Sequence, residues 1–302
     1  MLAKRIYEIL NKYRKNPDNL TYDSAVISHK IENFINENSP IVMVFPACHG
    51  KISNPNLVID HMPDLSEYLA IELFSNMCEE IKAIYPPGVK LFMVHEGHFY
   101  VGTLLMKSDK DMDEYIAKLR EMLLPYPYIK SLTLQDFFPS GYTNPQCRAE
   151  FFSKYAPTLE ETRELVAKSD THKHLYEKYL ARILANFQEQ YEDSQDKKFK
   201  NYNEFGEFNA LQQLRLWIGF RNLLKEFFAG VDYIRLSSVY KDPSVKDQIA
   251  LNYIPANHLE MPSFNCVAQF KDGGYGFITK KDAVKRNFIL SEDNGFKFYK
   301  EK

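Results

Sequence analysis

The stretch YPPGVKLFMVHEGHFYVGTLL, residues 85 to 105, gathers His95, Glu96 and His98 around Gly97. Imidazoles and a carboxylate this close together can hold a metal, move protons, or close a polar turn. Zinc proteases use His-Glu-x-x-His, because a four-residue spacing on a helix puts both imidazoles on one side. Here the histidines are three apart and lie between two runs that read as strands. In an extended chain such residues face opposite ways, so a shared metal would need a sharp turn at Gly97 and a third ligand. A hydrolase using metal on His95 and His98 is therefore the remoter reading, and no metal site is assigned. Proton transfer near neutral pH needs only a histidine or a carboxyl with a raised pKa. Glu96 and His98 fit that requirement, with His49 in reserve.

Other residues have a functional and a structural reading side by side. Lys51, in the polar loop CHGKISNPN, could bind an anion or be solvated. Arg235 lies in an apolar run, where a charge must be paired, by a salt bridge or by a ligand. Lys246 suits an anion site, or a sheet edge guarded against aggregation. Asn54 before Pro55 is a turn residue, and Asp64 with Glu67 makes the D-x-x-E form of a capping box. Most of the 20 tyrosines and 22 phenylalanines belong to core packing.

The elements that must position these groups follow from periodicity. PIVMVFPA is a continuous apolar run of the kind a buried parallel strand needs. A helix follows from Asp64 to the Pro86 break, with Leu69, Leu73, Met77, Ile81 and Ile84 on one face. VKLFMV and FYVGTLL read as strands on either side of the HEGH segment, residues 110 to 124 as a helix, and IKSLTL as a further strand. This alternation predicts an α/β fold, a Rossmann-like open sheet with flanking helices, whose ligand loops lie beyond the carboxyl ends of the strands. Residues 158 to 192 read as helices broken near KSDTH, where Ser169 or Thr171 can cap. EDSQDKKFKNYNE reads as a polar connection, followed by a helix through Trp217 and Phe228. The rest is strand-rich, with an Asp-Gly-Gly hairpin in CVAQFKDGGYGFITK. The expected organisation is a Rossmann-like lobe over 1–157 and a helical, strand-rich C-terminal lobe over 158–302, packed as one globular unit.

With 38 basic and 40 acidic residues the net charge is −2, which gives neither a nucleic acid nor an anionic membrane a reason to bind. The four cysteines are scattered, so a zinc ribbon or a disulfide framework is not indicated and a reducing compartment is expected. The N-terminus spaces Leu2, Ile6, Ile9, Leu10 and Tyr13 as a surface helix, not as a signal peptide. No apolar run approaches the ~20 residues that span a bilayer. A cytoplasmic protein is expected.

Taken together, VFPACHGKISNPNLVIDHMPDLSEYLAIELFSNMCEEIKAIYPPG and HEGHFY resemble the pyoverdine/dityrosine biosynthesis family, the isocyanide (isonitrile) synthases. The matches are Phe45-Pro46, Lys51, Asn54, Pro63-Asp64, Glu67, Ala70, Tyr85-Pro86-Pro87-Gly88 and Gly97. YIRLSSVYKDPSVKDQIALNYIP adds Arg235, Leu236, Ser237 and Lys246, and MPSFNCVAQFKDGGYGFITKKDA is similar to the family's last block. Where the family has S-D-G-R this chain has His95-Glu96-Gly97-His98. Its H-P after R-L-S is Val239-Tyr240, and its P-W-H is Pro262-Ser263-Phe264.

The resemblance implies an enzyme without metal or organic cofactor. It would join the amino group of an aromatic amino acid to the carbonyl carbon of ribulose 5-phosphate and fragment the adduct to an isonitrile. Glu96 and His98 would be catalytic, and Lys51, Asn54, His95, Arg235, Ser237 and Lys246 would bind substrate or phosphate. An iron/2-oxoglutarate oxygenase is the implied pathway partner. The alternative is a divergent relative that binds an amino acid or sugar phosphate without making an isonitrile.

Overall fold

The computed structural model describes residues 2–15, 24–46, 50–102, 108–193, 199–237, 248–255 and 261–302. In chain order the elements are α1 (Leu2–Lys12), α2 (Ser24–Asn36), β1 (Ile41–Pro46), α3 (Leu65–Ile84), β2 (Val89–Val94), α4 (Asp109–Leu123), β3 (Ile129–Leu132), α5 (Asn144–Lys154), α6 (Leu159–Lys168), α7 (Asp170–Asn186), α8 (Gln188–Asp193), α9 (Tyr202–Phe227), β4 (Ile234–Ser237), β5 (Gln248–Ala250), β6 (Cys266–Gln269), β7 (Tyr275–Ile278), α10 (Lys280–Lys285), β8 (Ile289–Asp293) and β9 (Phe296–Lys300). Two compact units divide the chain. The first comprises Met1–Gly97, Ser108–Thr133 and Asp232–Lys302, the second His98–Lys107 and Leu134–Val231.

In the first unit a parallel sheet runs in the order β3-β2-β1-β4-β5. The apolar run IVMVFP forms β1 at its centre, because a strand covered on both faces has no polar side to show. Pro46 pairs in register with Val94 of β2, and Val44 with Arg235 of β4. From β1 the chain builds outward to β2 and β3, then returns past β1 to add β4 and β5. This reversal puts the topological switch point at the carboxyl ends of β1 and β4, the position where open α/β sheets leave a crevice.

A second sheet, in the order β7-β6-β9-β8, belongs to the same unit. Helix α3 packs on β2 and also on β6 and β9, so it lies between the two sheets. Leu65, Ile254, Val267, Phe296 and Phe298 form the apolar contact there, while Cys266, Ala268, Ile278, Ala283, Phe288 and Tyr299 fill the sheet's other face under α10. The expected Asp-Gly-Gly hairpin is the β6–β7 pair, with Gly273 at φ 83°.

The second unit is helical in its described residues. Thr143 and Gln146 close a capping box on α5, Thr158 and Glu161 close one on α6, and Ser169 caps α7. Helix α9 carries Gly219 where an added Cβ would stand 2.8 Å from both Ala156 Cβ and Phe151 Cζ, so a side chain would hold the two segments apart. Phe99 packs edge-on against Phe151 and Phe220, with ring centroids 4.6 and 5.3 Å away. That packing corrects one expectation. Phe99 and Tyr100 form a 3-10 turn over Gly97–Tyr100 and not the start of a strand, because Phe99 is drawn into this aromatic cluster. The remainder of FYVGTLL, from residue 103, lies outside the described residues. Among the described residues no helix is long and apolar enough to cross a membrane.

Candidate active site

Asp64 caps α3. It accepts a hydrogen bond from the Ser66 amide at 2.8 Å, and Glu67 Oε2 reaches back to accept one from the Asp64 amide at 2.9 Å. This is the capping box expected from D-x-x-E. Its two carboxylates also do something that spacing along a helix cannot reveal. The loop after β1 turns Lys51 inward, and its Nζ stands 3.0 Å from Asp64 Oδ2 and 3.0 Å from Glu67 Oε1. The same ammonium lies 3.1 Å from Ser66 Oγ and 3.0 Å from the Pro262 carbonyl. Lys51 is 3% exposed, Asp64 3% and Glu67 6%.

Burial on its own would lower the Lys51 pKa, but the pull of Asp64 and Glu67 outweighs it and the ammonium is held well above its usual range. Glu67 moves the other way from a typical ion-paired acid. Burial dominates, the Asp64 charge adds to it, and together they overcome the attraction of Lys51, so its carboxyl is pushed up to about 7. The Tyr115 hydroxyl donates to Glu67 Oε1 at 3.1 Å from helix α4. Glu67 and Tyr115 line a cavity with Phe74, Met93, Tyr253 and Ser263. Its volume of about 20 Å³ has room for a single water molecule.

The other expected site residues are distributed as follows. Asn54, buried, accepts the Asn56 amide on Oδ1 at 2.9 Å in an Asx turn, and its carbonyl accepts the Leu57 amide at 3.0 Å, so it fixes the loop that carries Lys51. His95 is fully buried just past β2; its amide donates to the Leu132 carbonyl and its Nε2 lies 2.8 Å from Ser131 Oγ. Glu96 follows it, buried, at the end of the first segment of that unit. His98 opens the second unit, where its carbonyl accepts from Arg148 Nη1 at 3.1 Å. Arg235 and Ser237 are half-buried on β4, with Ser237 opposite Ala250 of β5. Lys246, and His49 held in reserve, lie outside the described residues. Lys51 and Glu96 thus lie beyond the carboxyl ends of β1 and β2, and Ser237 is the last residue of β4, the strand on the other side of β1.

Some polar groups at this end had no local signal. Residues 13 to 15 run antiparallel to the chain leaving β5, through the Arg14–Leu251 bridge and the Lys15 amide donating to the Ala250 carbonyl at 2.8 Å. This carries the Lys15 ammonium, almost fully buried, to 5.2 Å from the Tyr253 ring centre. Tyr115 likewise reads as one more apolar position of α4. Only the partner 48 residues away makes it part of the cluster.

An open parallel sheet whose strand order reverses, with buried, ion-paired polar groups beyond its strand ends, defines an α/β fold with a switch point. The family is more specific. The profile of the pyoverdine/dityrosine biosynthesis proteins matches residues 31–290, and the chain belongs to that family. It is 25% identical over 309 residues to an L-tyrosine isonitrile synthase of Xenorhabdus nematophila, covering 94% of this chain and 86% of that protein. It is also 25% identical over 190 residues to L-tryptophan isonitrile synthase AmbI1 of Fischerella ambigua, a match spanning 62% of this chain and 59% of that protein. The crystal structure of PvcA from Pseudomonas aeruginosa superposes with a TM-score of 0.85 at 22% identity over 100% of both chains, so the fold is shared throughout.

Proposed function

We propose that this chain is an isonitrile synthase that condenses the amine of an amino acid with ribulose 5-phosphate. The observation that carries the reading is the family match across residues 31–290, together with relatives that act on tyrosine and tryptophan. The buried Lys51–Asp64–Glu67 cluster supports it, since it ties the K-x-x-N loop to the P-D-x-x-E helix start, two stretches through which the chain resembles the family.

The chemistry makes three demands. The phosphate needs fixed cations, and Arg235 with Lys246 supplies them. Lys51 serves the site through the two carboxylates it holds, because its ammonium is already enclosed by Asp64, Glu67, Ser66 and the Pro262 carbonyl. Attack on the sugar carbonyl needs an amine stripped of its proton, and later fragmentation needs a proton returned. Glu96 and His98 handle these transfers at the rim, with His95 held by Ser131 to orient it. Ser237 and Asn54 complete the polar lining, Asn54 by fixing its loop.

Incubation with ribulose 5-phosphate and a panel of amino acids, followed by mass spectrometry, tests the proposal. An isonitrile is expected from at least one aromatic amino acid. The replacement of the family's S-D-G-R by His95-Glu96-Gly97-His98 favours one second reading, a relative that binds the same ligands without turnover. Saturable thermal stabilisation by an amino acid or a sugar phosphate with no product from any of them would select it.

A further inference from the structure

Ser66 Oγ lies 2.5 Å from Asp64 Oδ1 and 3.1 Å from Glu67 Oε2. A hydroxyl has one hydrogen to donate. Lys51 Nζ faces the same hydroxyl oxygen at 3.1 Å as a donor, and meets the two carboxyls at their other oxygens, Asp64 Oδ2 and Glu67 Oε1. Both carboxyl oxygens also accept a backbone amide, Asp64 Oδ1 from Ser66 and Glu67 Oε2 from Asp64, and the second hydroxyl contact becomes a hydrogen bond as well only when its carboxyl carries a proton. The charges give the same count: one ammonium, Lys51, faces two carboxyls, Asp64 and Glu67, in a site from which water is nearly excluded. Fully ionised, the cluster would keep a net negative charge in a poorly solvating interior, which is costly. One proton makes it neutral.

We propose that Asp64, Ser66 and Glu67 form a buried proton store that holds one exchangeable proton, and that Glu67 exchanges it through Tyr115 and the adjoining water-sized cavity for the amine–carbonyl condensation. Glu67 is the exchanging member because its Oε1 faces both the Lys51 ammonium and the Tyr115 hydroxyl, and because Glu67 and Tyr115, unlike Asp64, line the cavity. The titratable groups around it are Lys51 from the loop, Asp64 on its own helix, Tyr115 on α4 and the Cys266 thiol at the start of β6, which burial pushes up to about 12 and so keeps uncharged. Burial raises Glu67 itself to about 7, which suits exchange at neutral pH.

The role deepens the isonitrile synthase reading and rests on it. With the store empty, ionised Glu67 takes up through Tyr115 the proton that Glu96 or His98 draws from the substrate ammonium, leaving a neutral amine and a carboxylic acid. The amine nitrogen forms a bond to the sugar carbonyl carbon as the C=O π bond opens, and the extra proton on nitrogen passes to the oxygen, giving a carbinolamine. The carboxylic acid then returns its proton by the same route to the carbinolamine hydroxyl, the C–O bond breaks, and departure of water gives an iminium ion with Glu67 ionised again. Tyr115 and Glu67 act here as positioning and relay groups.

Infrared titration of protein carrying carbon-13 at the glutamate carboxyls tests the store without any reaction. A protonated-carboxyl band is expected at pH 6, fading toward pH 9 and missing in Glu67→Gln. Absence of that band in the unaltered protein at pH 6 overturns the proposal, whether or not an isonitrile is formed. Should Glu67→Gln fail to fold, Tyr115→Phe keeps every ion pair and serves instead. It is expected to keep the band, leave KM unchanged and lower kcat by at least about tenfold across neutral pH. A kcat equal to that of the unaltered protein overturns the relay. A normal band in an enzyme that makes no isonitrile leaves the store in place and overturns both the relay's use in this condensation and the reading on which it rests.

Discussion

Lys51 sits where solvent cannot replace its partners, and this sets the consequence of losing it. Lys51→Met should leave Asp64 and Glu67 facing each other without a cation and cost about 3–5 kcal/mol, read from urea unfolding at neutral pH. The pH dependence has a definite sign. Because the folded protein holds Glu67 above the ordinary glutamate value, it binds more protons than the unfolded chain between about pH 4.5 and 7. Its contribution to stability is therefore full in mild acid and is lost as pH rises through about 7. Unfolding free energies measured from pH 5 to 8 should fall because of this group, and Glu67→Gln should flatten the slope. At this scale the sequence was legible as far as its interactions are local. Asp64 and Glu67 announce a capping box through i, i+3 spacing, and Asn54 announces a turn. Their meeting with Lys51 depends on how a loop folds back, and Tyr115 arrives from another helix, so neither left a pattern to read. Glu67 acquires its raised value from tertiary burial, which its spacing along the helix does not show.

Elements followed the same division. Strands β1, β2 and β3 and helices α3 and α4 could be read because each buries a continuous run or a regular stripe. The β8–β9 hairpin was harder, since Ile289 and Leu290 of β8 are about half exposed and give no buried alternation. Its available signal is the turn Asn294-Gly295, with φ 51° and 81°, the pair that a tight hairpin demands. Phe99 and Tyr100 misled because aromatic residues suit strands and aromatic clusters alike, and Phe99 joins the latter. Helix contacts in the second unit give a test of packing. Gly219→Ala would press a methyl group into Ala156 and Phe151, with backbone close behind, and should cost about 1–3 kcal/mol. Gly206→Ala meets mainly the movable end of Leu184 and should cost less. Denaturant midpoints of the two variants, compared at equal slope, check the order.

Across the whole molecule, order along the chain carried more information than any one motif. Phe45-Pro46, the Lys51 loop, the Asp64 helix start, Tyr85 to Gly88 and Arg235 recur in the sequence expected of the family, and the profile match spans all of them. What no local signal marks is that the chain leaves one compact unit after Gly97 and returns to it finally at Asp232. The functional account joins these levels, with a family fold, a switch point beyond β1 and β4, and a buried store of one proton beside it. Its central claim is a carbon–nitrogen condensation, and isotope tracing tests that most directly. When ribulose 5-phosphate carrying carbon-13 at its carbonyl carbon is supplied with an aromatic amino acid labelled with nitrogen-15, the account predicts one isonitrile product holding both labels in its terminal N≡C group. An isonitrile lacking the carbon label, or no isonitrile from any amino acid offered, would contradict it.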